Sequence, residues 1–341
     1  MSKPLSPDHP LVSVCIPTYN RRALLEVTLE TISKQTLRDF ELIVCDDSST
    51  DGTFEFLTSL HWPNLTVLRN TTNLNLPDTM KRLFLAARGK YVGMQHDHDL
   101  YHPGFLEKMV DMMERNQTAG FGCCAFDLID KDRIIDPPSD WFEFYPASGI
   151  RTGDEVVTAL ATRVFTPIPA MGTIFRREVV ERAGGYRSEW SIASDEDLYR
   201  RVASISDVAF SRERLFTIRP RPTDRHTILG GWKSIYTLHE FRADTTRNYL
   251  KASALRKRIN IALLRALRLK ALLTECASLA LRGQYDQLAA ATRLEVVPHL
   301  PSGPDLSFIE RVVLQAFSSA LKVLCSTFRP WIEPRLERRV G

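Results

Sequence analysis

The 341-residue sequence predicts an α/β protein: a mostly parallel sheet with helices on both faces, followed by a C-terminal helical region. Three observations predict it. Short β-rich runs alternate with segments of helical periodicity up to residue 99. Polar clusters close the first, second and fourth of those runs, at the carboxyl ends of strands, where ligands bind in such sheets. From about residue 235, Leu and Ala at helical spacing dominate, with Arg and Lys on the other face.

The elements follow in order. Residues 11–16 (LVSVCI) read as a strand ended by Pro17, and 21–35 place Leu24, Leu25, Thr28, Leu29 and Ile32 at helical spacing. FELIVC (40–45) is a second strand, closed by the polar turn Asp46 to Gly52. A helix at 53–60, a strand at 65–70 (LTVLRN), a helix at 78–88 and a strand at 91–95 (YVGMQ) complete the alternation. A helix at 103–115 precedes a Pro-rich stretch, 121–150, expected to carry β-structure at the far side of the sheet. Residues 176–183 read as a helix broken by Gly184 and Gly185, and a further helix starts near Ser194 or Asp195. A last helix is expected at about 306–327. The expected division is residues 1–235 and 236–341.

Composition bounds the function. At 44% hydrophobic and 25% charged residues, the chain can bury a core of ordinary size. The net charge of +4 is concentrated late, in Arg212, Arg214, Arg219, Arg221 and Arg225 and again around Arg256 to Lys270. That bias favours phosphate-bearing ligands or an anionic membrane face, although a solvated helix surface explains the later run equally well. Nucleic acid is not an expected partner. The six cysteines lack metal-ligand spacing and suggest no disulfide framework, which points to a reducing, cytoplasmic compartment. Residues 1–10 have no apolar signal-peptide core. The apolar run 308–328 is interrupted by Glu310, Arg311, Gln315 and Lys322, so it reads as an amphipathic helix rather than a membrane span.

Four clusters carry candidate chemistry. Pro17, Thr18, Tyr19 and Asn20 offer an aromatic, a hydroxyl and an amide suited to a base-and-ribose pocket; the competing reading makes Asn20 the cap of the next helix. In Asp46-Asp47-Ser48-Ser49-Thr50-Asp51-Gly52 a carboxylate can accept from a uracil N–H, while the hydroxyls suit a turn. In His96-Asp97-His98-Asp99 two alternate carboxylates can grip one cation, with imidazoles beside them; the alternative is a polar surface turn. In Ser194-Asp195-Glu196-Asp197 a helix start would set Asp195 on exposed N–H groups. A base there must regain basicity from burial or from its acidic neighbours.

Together these clusters resemble the family 2 inverting glycosyltransferases. The resemblance covers about residues 11–220 and rests on VSVCIPTYNRR, LIVCDDSSTDGT, AARGKYVGMQHDHDLYHPGFLEKM and IFRREVVERAGGYRSEWSIASDEDLYRRVA, in that order and spacing. It implies the GT-A fold, with its Rossmann-like sheet, a nucleotide-sugar donor, expected to be UDP-linked, and Mg²⁺ or Mn²⁺. By resemblance, Pro17, Thr18, Tyr19, Asn20, Asp46, Asp47, Asp97 and His98 meet the nucleotide, and Asp97 and Asp99 form the DxD motif. Asp99 is then the main metal ligand and Asp195 the base. The sequence departs from the family at three points. His96 and His98 occupy the first two acidic positions of the usual Asp-x-Asp-Asp. Arg219-Pro220-Arg221 replaces a common Arg-x-His, so the third protein ligand of the metal is either lost or supplied by His226. Ser194 replaces the glutamate before the catalytic aspartate.

The expected reaction is in-line transfer of the sugar to an acceptor hydroxyl of a growing glycan or glycolipid, with Arg219, Arg221 or Arg225 clamping phosphate and a loop near 220–231 closing over the donor. Trp190 can stack on a sugar or pack in the core. The rivals are an inactive nucleotide- or carbohydrate-binding module and a metal-dependent hydrolase of nucleotide sugars. The basic C-terminal helices suit peripheral contact with an anionic membrane at its cytoplasmic face.

Overall fold

A computed structural model describes residues 9–130, 133–135, 144–145, 147–162, 168–169, 172–219, 232–254, 257, 260, 261 and 264. It divides into two compact units, Met1–Arg221 with Arg247–Lys251, and Pro222–Thr246 with Ala252–Gly341.

The first unit is built on one sheet. Its first half follows the alternation expected: β1 (Val12–Thr18), α1 (Arg22–Ser33), β2 (Phe40–Asp46), α2 (Thr53–Ser59), β3 (Leu65–Arg69), α3 (Asn75–Ala86) and β4 (Tyr91–Met94). β1 and β2 are buried at every residue, which is why they read as continuous apolar runs rather than alternating ones. β1 pairs in parallel with both β2 and β4, and β2 with β3.

The second half is mixed. It holds β5 (Leu100–Tyr101), α4 (Phe105–Arg115), β6 (Ala119–Asp130), β7 (Arg133–Ile135), β8 (Gly149–Arg151), α5 (Gly153–Thr162), β9 (Thr173–Arg176), α6 (Arg177–Arg182), α7 (Ser194–Ala203) and β10 (Asp207–Ile218). The strand order is β3-β2-β1-β4-β9-β6-β10-β5, with β7 on β6 and β8 on β10. β9 runs antiparallel to β4 and β6, while β6 and β10 are parallel. The parallel character read from the sequence thus belongs to the first four strands and the β6–β10 pair.

Helix packing follows the apolar periodicity. α4 buries Phe105, Leu106, Met109, Val110 and Met113 on one face, each contributing roughly 1.5–3 kcal/mol. Phe84 of α3 meets both Phe175 of β9 and Tyr186, and Phe121 and Phe175 stack on Tyr199 of α7. These rings fix α7 against the middle of the sheet. Cys15, Cys45, Cys123 and Cys124 are free and buried, and burial pushes the Cys45 thiol up to about 11, so they act as small apolar residues.

The second unit holds α8 (Trp232–Asn248) up to Thr246, with Phe241, Thr245 and Thr246 buried; Asn260 Nδ2 donates to Thr246 Oγ1 at 2.7 Å. Among the described residues no helix is long and apolar enough to cross a membrane. The helix expected at 306–327 lies outside the described residues.

Candidate active site

The first two clusters close on each other because β1 and β2 end side by side, Thr18 opposite Asp46. Asn20 does not cap α1. Its φ of 50° turns the chain away from β1, its N–H donates to Ser49 Oγ (2.9 Å), and its Oδ1 accepts from Thr50 N–H (2.7 Å). The cap comes instead from the neighbouring turn: Asp51 Oδ2 accepts the Arg22 N–H at 3.0 Å, and its Oδ1 accepts from the N–H and hydroxyl of Thr53 at the start of α2. Burial pushes the Asp51 carboxyl up, but these donors outweigh it and hold the group below the usual carboxylate range.

Asp46 and Asp47 are both buried and face different partners. Asp46 Oδ1 accepts from Ser49 N–H (3.1 Å) and Oδ2 stands 3.4 Å from Arg69 Nε. Asp47 Oδ1 accepts from Asn70 Nδ2 (2.7 Å) and from Leu74 N–H (2.8 Å). The cost of two adjacent carboxylates is therefore met largely by protein donors. Of the first cluster, Pro17 and Thr18 are buried and Tyr19 is exposed. The Thr18 hydroxyl makes no hydrogen bond.

The segment after β4 is no surface turn: Asp97, His98 and Asp99 are buried and His96 is partly exposed. Asp97 Oδ1 accepts from Arg21 (3.1 Å) and lies 3.0 Å from His98 Nδ1. Burial would raise the Asp97 carboxyl, yet the His98 bond and the Arg21 charge hold it below its usual range. Asp99 faces both imidazoles, with Oδ2 3.2 Å from His96 Nδ1 and Oδ1 3.7 Å from His98 Nε2. The two rings stack with centroids 4.7 Å apart. His96, His98 and Asp99 each present one ligand atom, all within 4.8 Å of one another, so the donor set fits a divalent cation. Asp97 lies outside that set. His226 lies outside the described residues, as do Arg221, Arg225 and the stretch 220–231.

Asp195 falls in the first turn of α7, as its sequence context implies. Its Oδ1 accepts the Glu196 N–H at 2.9 Å. The side chain keeps partial solvent access, but the protein packed around it raises its pKa from 3.8 to about 6, against that hydrogen bond and the charge of nearby His96. His96, one of the residues around Asp99, thus acts on Asp195 through space. The acidic neighbours do not raise it. Asp197 is held by Arg200 (2.8 and 3.0 Å) and Arg201 (2.7 Å), and Arg201 also binds the carbonyls of Ala183 and Gly185. This clamp ties α7 to the Gly184-Gly185 turn. Trp190 is buried, with the Arg200 guanidinium 5.2 Å from its ring, so it packs rather than facing a sugar.

Sequence reasoning missed several participants. Asn70 anchors Asp47 from the end of β3, the strand end that had drawn no attention; a polar residue closing an otherwise apolar run was its signal. Tyr101 accepts the His96 N–H through its buried hydroxyl at 3.0 Å. Arg219, expected at phosphate, reaches inward: its Nε donates to the His98 carbonyl and its Nη2 to Leu24 O (3.1 Å) and Thr28 Oγ1 (3.2 Å). Nothing local in the sequence distinguishes such a pin from a phosphate clamp.

A parallel sheet whose strand ends gather carboxylates and imidazoles, continued by a mixed half carrying a buried aspartate on a helix start, defines a GT-A protein. In shape the chain is similar to residues 1–349 of S. aureus TarS in complex with UDP-GlcNAc, at a TM-score of 0.63 and 16% identity over 94% of this chain and 91% of that one. The mannosyltransferase PcManGT from Pyrobaculum calidifontis, in complex with GDP-Man and Mn²⁺, matches at a TM-score of 0.56 and 22% identity, over 95% and 84%. The family model for glycosyl transferase family 2 matches residues 13–182, and the chain belongs to that family. Among curated relatives, the UDP-Glc:alpha-D-GlcNAc-diphosphoundecaprenol beta-1,3-glucosyltransferase WfaP of Escherichia coli is 26% identical over 37% of this chain and 49% of its own length. The chain spans about half the length of the curated relatives it matches, 45% in another case.

Proposed function

We propose that the chain is an inverting glycosyltransferase that moves a sugar from a nucleotide diphosphate sugar, UDP-linked, to an acceptor hydroxyl of a growing glycan or glycolipid. One observation carries this reading: a carboxylate raised to about 6, Asp195, lies within electrostatic reach of His96 of a cation-competent cluster. A base of that strength is largely ionised at neutral pH yet basic enough to take a proton. The UDP-GlcNAc bound by TarS and the UDP-Glc in the name of WfaP support a UDP-linked donor.

The nucleoside would lie over the ends of β1 and β2, against Pro17, Thr18, Tyr19 and Asn20, with Asp46 and Asp47 beneath. Asp47, with Oδ1 held by Asn70 and Leu74, keeps Oδ2 for a base N–H. Asp97 and His98 would border the ribose and diphosphate. Asp99, with the adjacent imidazoles, would hold Mg²⁺ or Mn²⁺, an ion that neutralises charge on a departing diphosphate; Mn²⁺ accompanies GDP-Man in PcManGT. Asp195 accepts the acceptor's hydroxyl proton as that oxygen bonds to the anomeric carbon. The bond to the diphosphate breaks on the opposite face, so configuration inverts. Residues 1–235 would carry this chemistry. Residues 236–341 would make peripheral contact with an anionic, cytoplasmic membrane face; sedimentation with anionic vesicles at low salt tests that contact, and no co-sedimentation rejects it.

The test of the function is a panel of nucleotide sugars with Mn²⁺ and Mg²⁺, with and without lipid-linked and soluble glycan acceptors. Acceptor-dependent release of UDP with an inverted product supports transfer. Release that ignores every acceptor indicates a hydrolase, and UDP binding without release a binding module.

A further inference from the structure

The segment His96-Asp97-His98-Asp99 is arranged for more than charge. Asp97 Oδ1 accepts from Arg21 at 3.1 Å, and its place 3.0 Å from His98 Nδ1 favours the imidazole tautomer with the proton on Nδ1. That assigns the lone pair of His98 to Nε2, the atom that faces Asp99 Oδ1 at 3.7 Å, beyond hydrogen-bond length. The other oxygen of the same carboxylate faces the second imidazole, His96 Nδ1 to Asp99 Oδ2 at 3.2 Å. The carboxylate is positioned in turn: the Arg219 N–H donates to Asp99 Oδ1 at 3.3 Å, and Thr28 Oγ1 donates to its backbone carbonyl at 2.9 Å. Ring nitrogens and a carboxylate directed at one another, with His98 and Asp99 each oriented by a partner outside the set, are the arrangement of a built metal site.

Donor type then decides which ion. Mg²⁺ is hard, takes oxygen and keeps its waters, whereas imidazole nitrogen favours transition ions. We propose that His96, His98 and Asp99 form a two-imidazole, one-carboxylate site that takes a transition ion, such as Mn²⁺, Co²⁺ or Zn²⁺, in preference to Mg²⁺, and that Asp97 orients His98 instead of binding the ion. This deepens the cation assignment of the proposed reaction, but its evidence is the coordination set and not turnover.

The experiment uses the full-length protein stripped of metal. Mn²⁺ binding is followed by loss of the free-ion electron paramagnetic resonance signal, then competed with Mg²⁺. Mn²⁺ is expected to bind at least about 10-fold more tightly than Mg²⁺, and pulsed spectra of the unaltered protein should show ¹⁴N coupling from imidazole. Replacing both histidines by aspartate (His96→Asp with His98→Asp) should bring the two ions to within a few-fold, and Asp97→Asn should weaken Mn²⁺ by about 10-fold. Equal affinities for the two ions, or bound Mn²⁺ without nitrogen coupling, would overturn the proposal. Because every readout is binding, a protein that holds Mn²⁺ through nitrogen but transfers no sugar would refute the proposed reaction and leave this site standing.

Discussion

The turn after β2 and the start of α7 are equally acidic in sequence, and the fold treats them in opposite ways. In the turn, Asp46, Asp47 and Asp51 receive donors from Ser49, Asn70, Leu74, Arg22 and Thr53, and Asp51 is driven below its ordinary range. At the helix start, two arginines close on Asp197, while Asp195 has the Glu196 N–H and is driven upward. A carboxylate that protein donors surround becomes part of the architecture. One that is crowded but underserved remains basic and available for chemistry.

The sharpest way to break this contrast is Asp195→Asn. Transfer should fall by about 10³-fold or more, with UDP affinity by calorimetry within a few-fold of the parent; near-normal turnover would remove Asp195 from the mechanism. Next is Asp197→Ala, which takes the carboxylate from two buried arginines and should cost about 3–5 kcal/mol in urea unfolding. A loss below about 1 kcal/mol would mean that the clamp is ornamental.

The raised pKa gives a third test in two parts. Activity should climb with pH through about 6 and then level, since the ionised form is the base. Stability runs the other way. The folded protein binds this proton more tightly than the unfolded chain, so the contribution is fully present below about 3.8 and is lost as pH rises through about 6. Asp195→Asn should therefore be more stable than the parent by about 1–3 kcal/mol at pH 8, with the gain gone near pH 4. A gain that does not change with pH would mean that the carboxyl is not shifted. The smallest effect is expected at the turn: Asp51→Ala removes the caps of α1 and α2 and should cost about 1–2 kcal/mol of stability, read from the urea midpoint.

Much of the fold was legible because β1, β2 and β4 are buried on both faces, and a strand with no solvent side must be apolar along its whole length. β9 was not: Thr173–Arg176 is four residues long, and its antiparallel place between β4 and β6 rests on partners far away in sequence. The candidate residues were visible as types at strand ends. Their roles were harder to read, because Asn20 looks like a cap, Arg219 like a phosphate clamp and Asp97 like a ligand until their partners are seen.

By itself the sequence determined the βα alternation, the strand ends at which polar residues gather, and the position of Asp195 in a first helical turn, because periodicity and local backbone donors act over a few neighbouring residues. The tertiary structure alone decided which carboxylates are neutralised and which is left basic. Burial and charge act through space, and the groups that set them for Asp195 and Asp99, among them His96 and Arg219, are brought there by packing from separate parts of the chain.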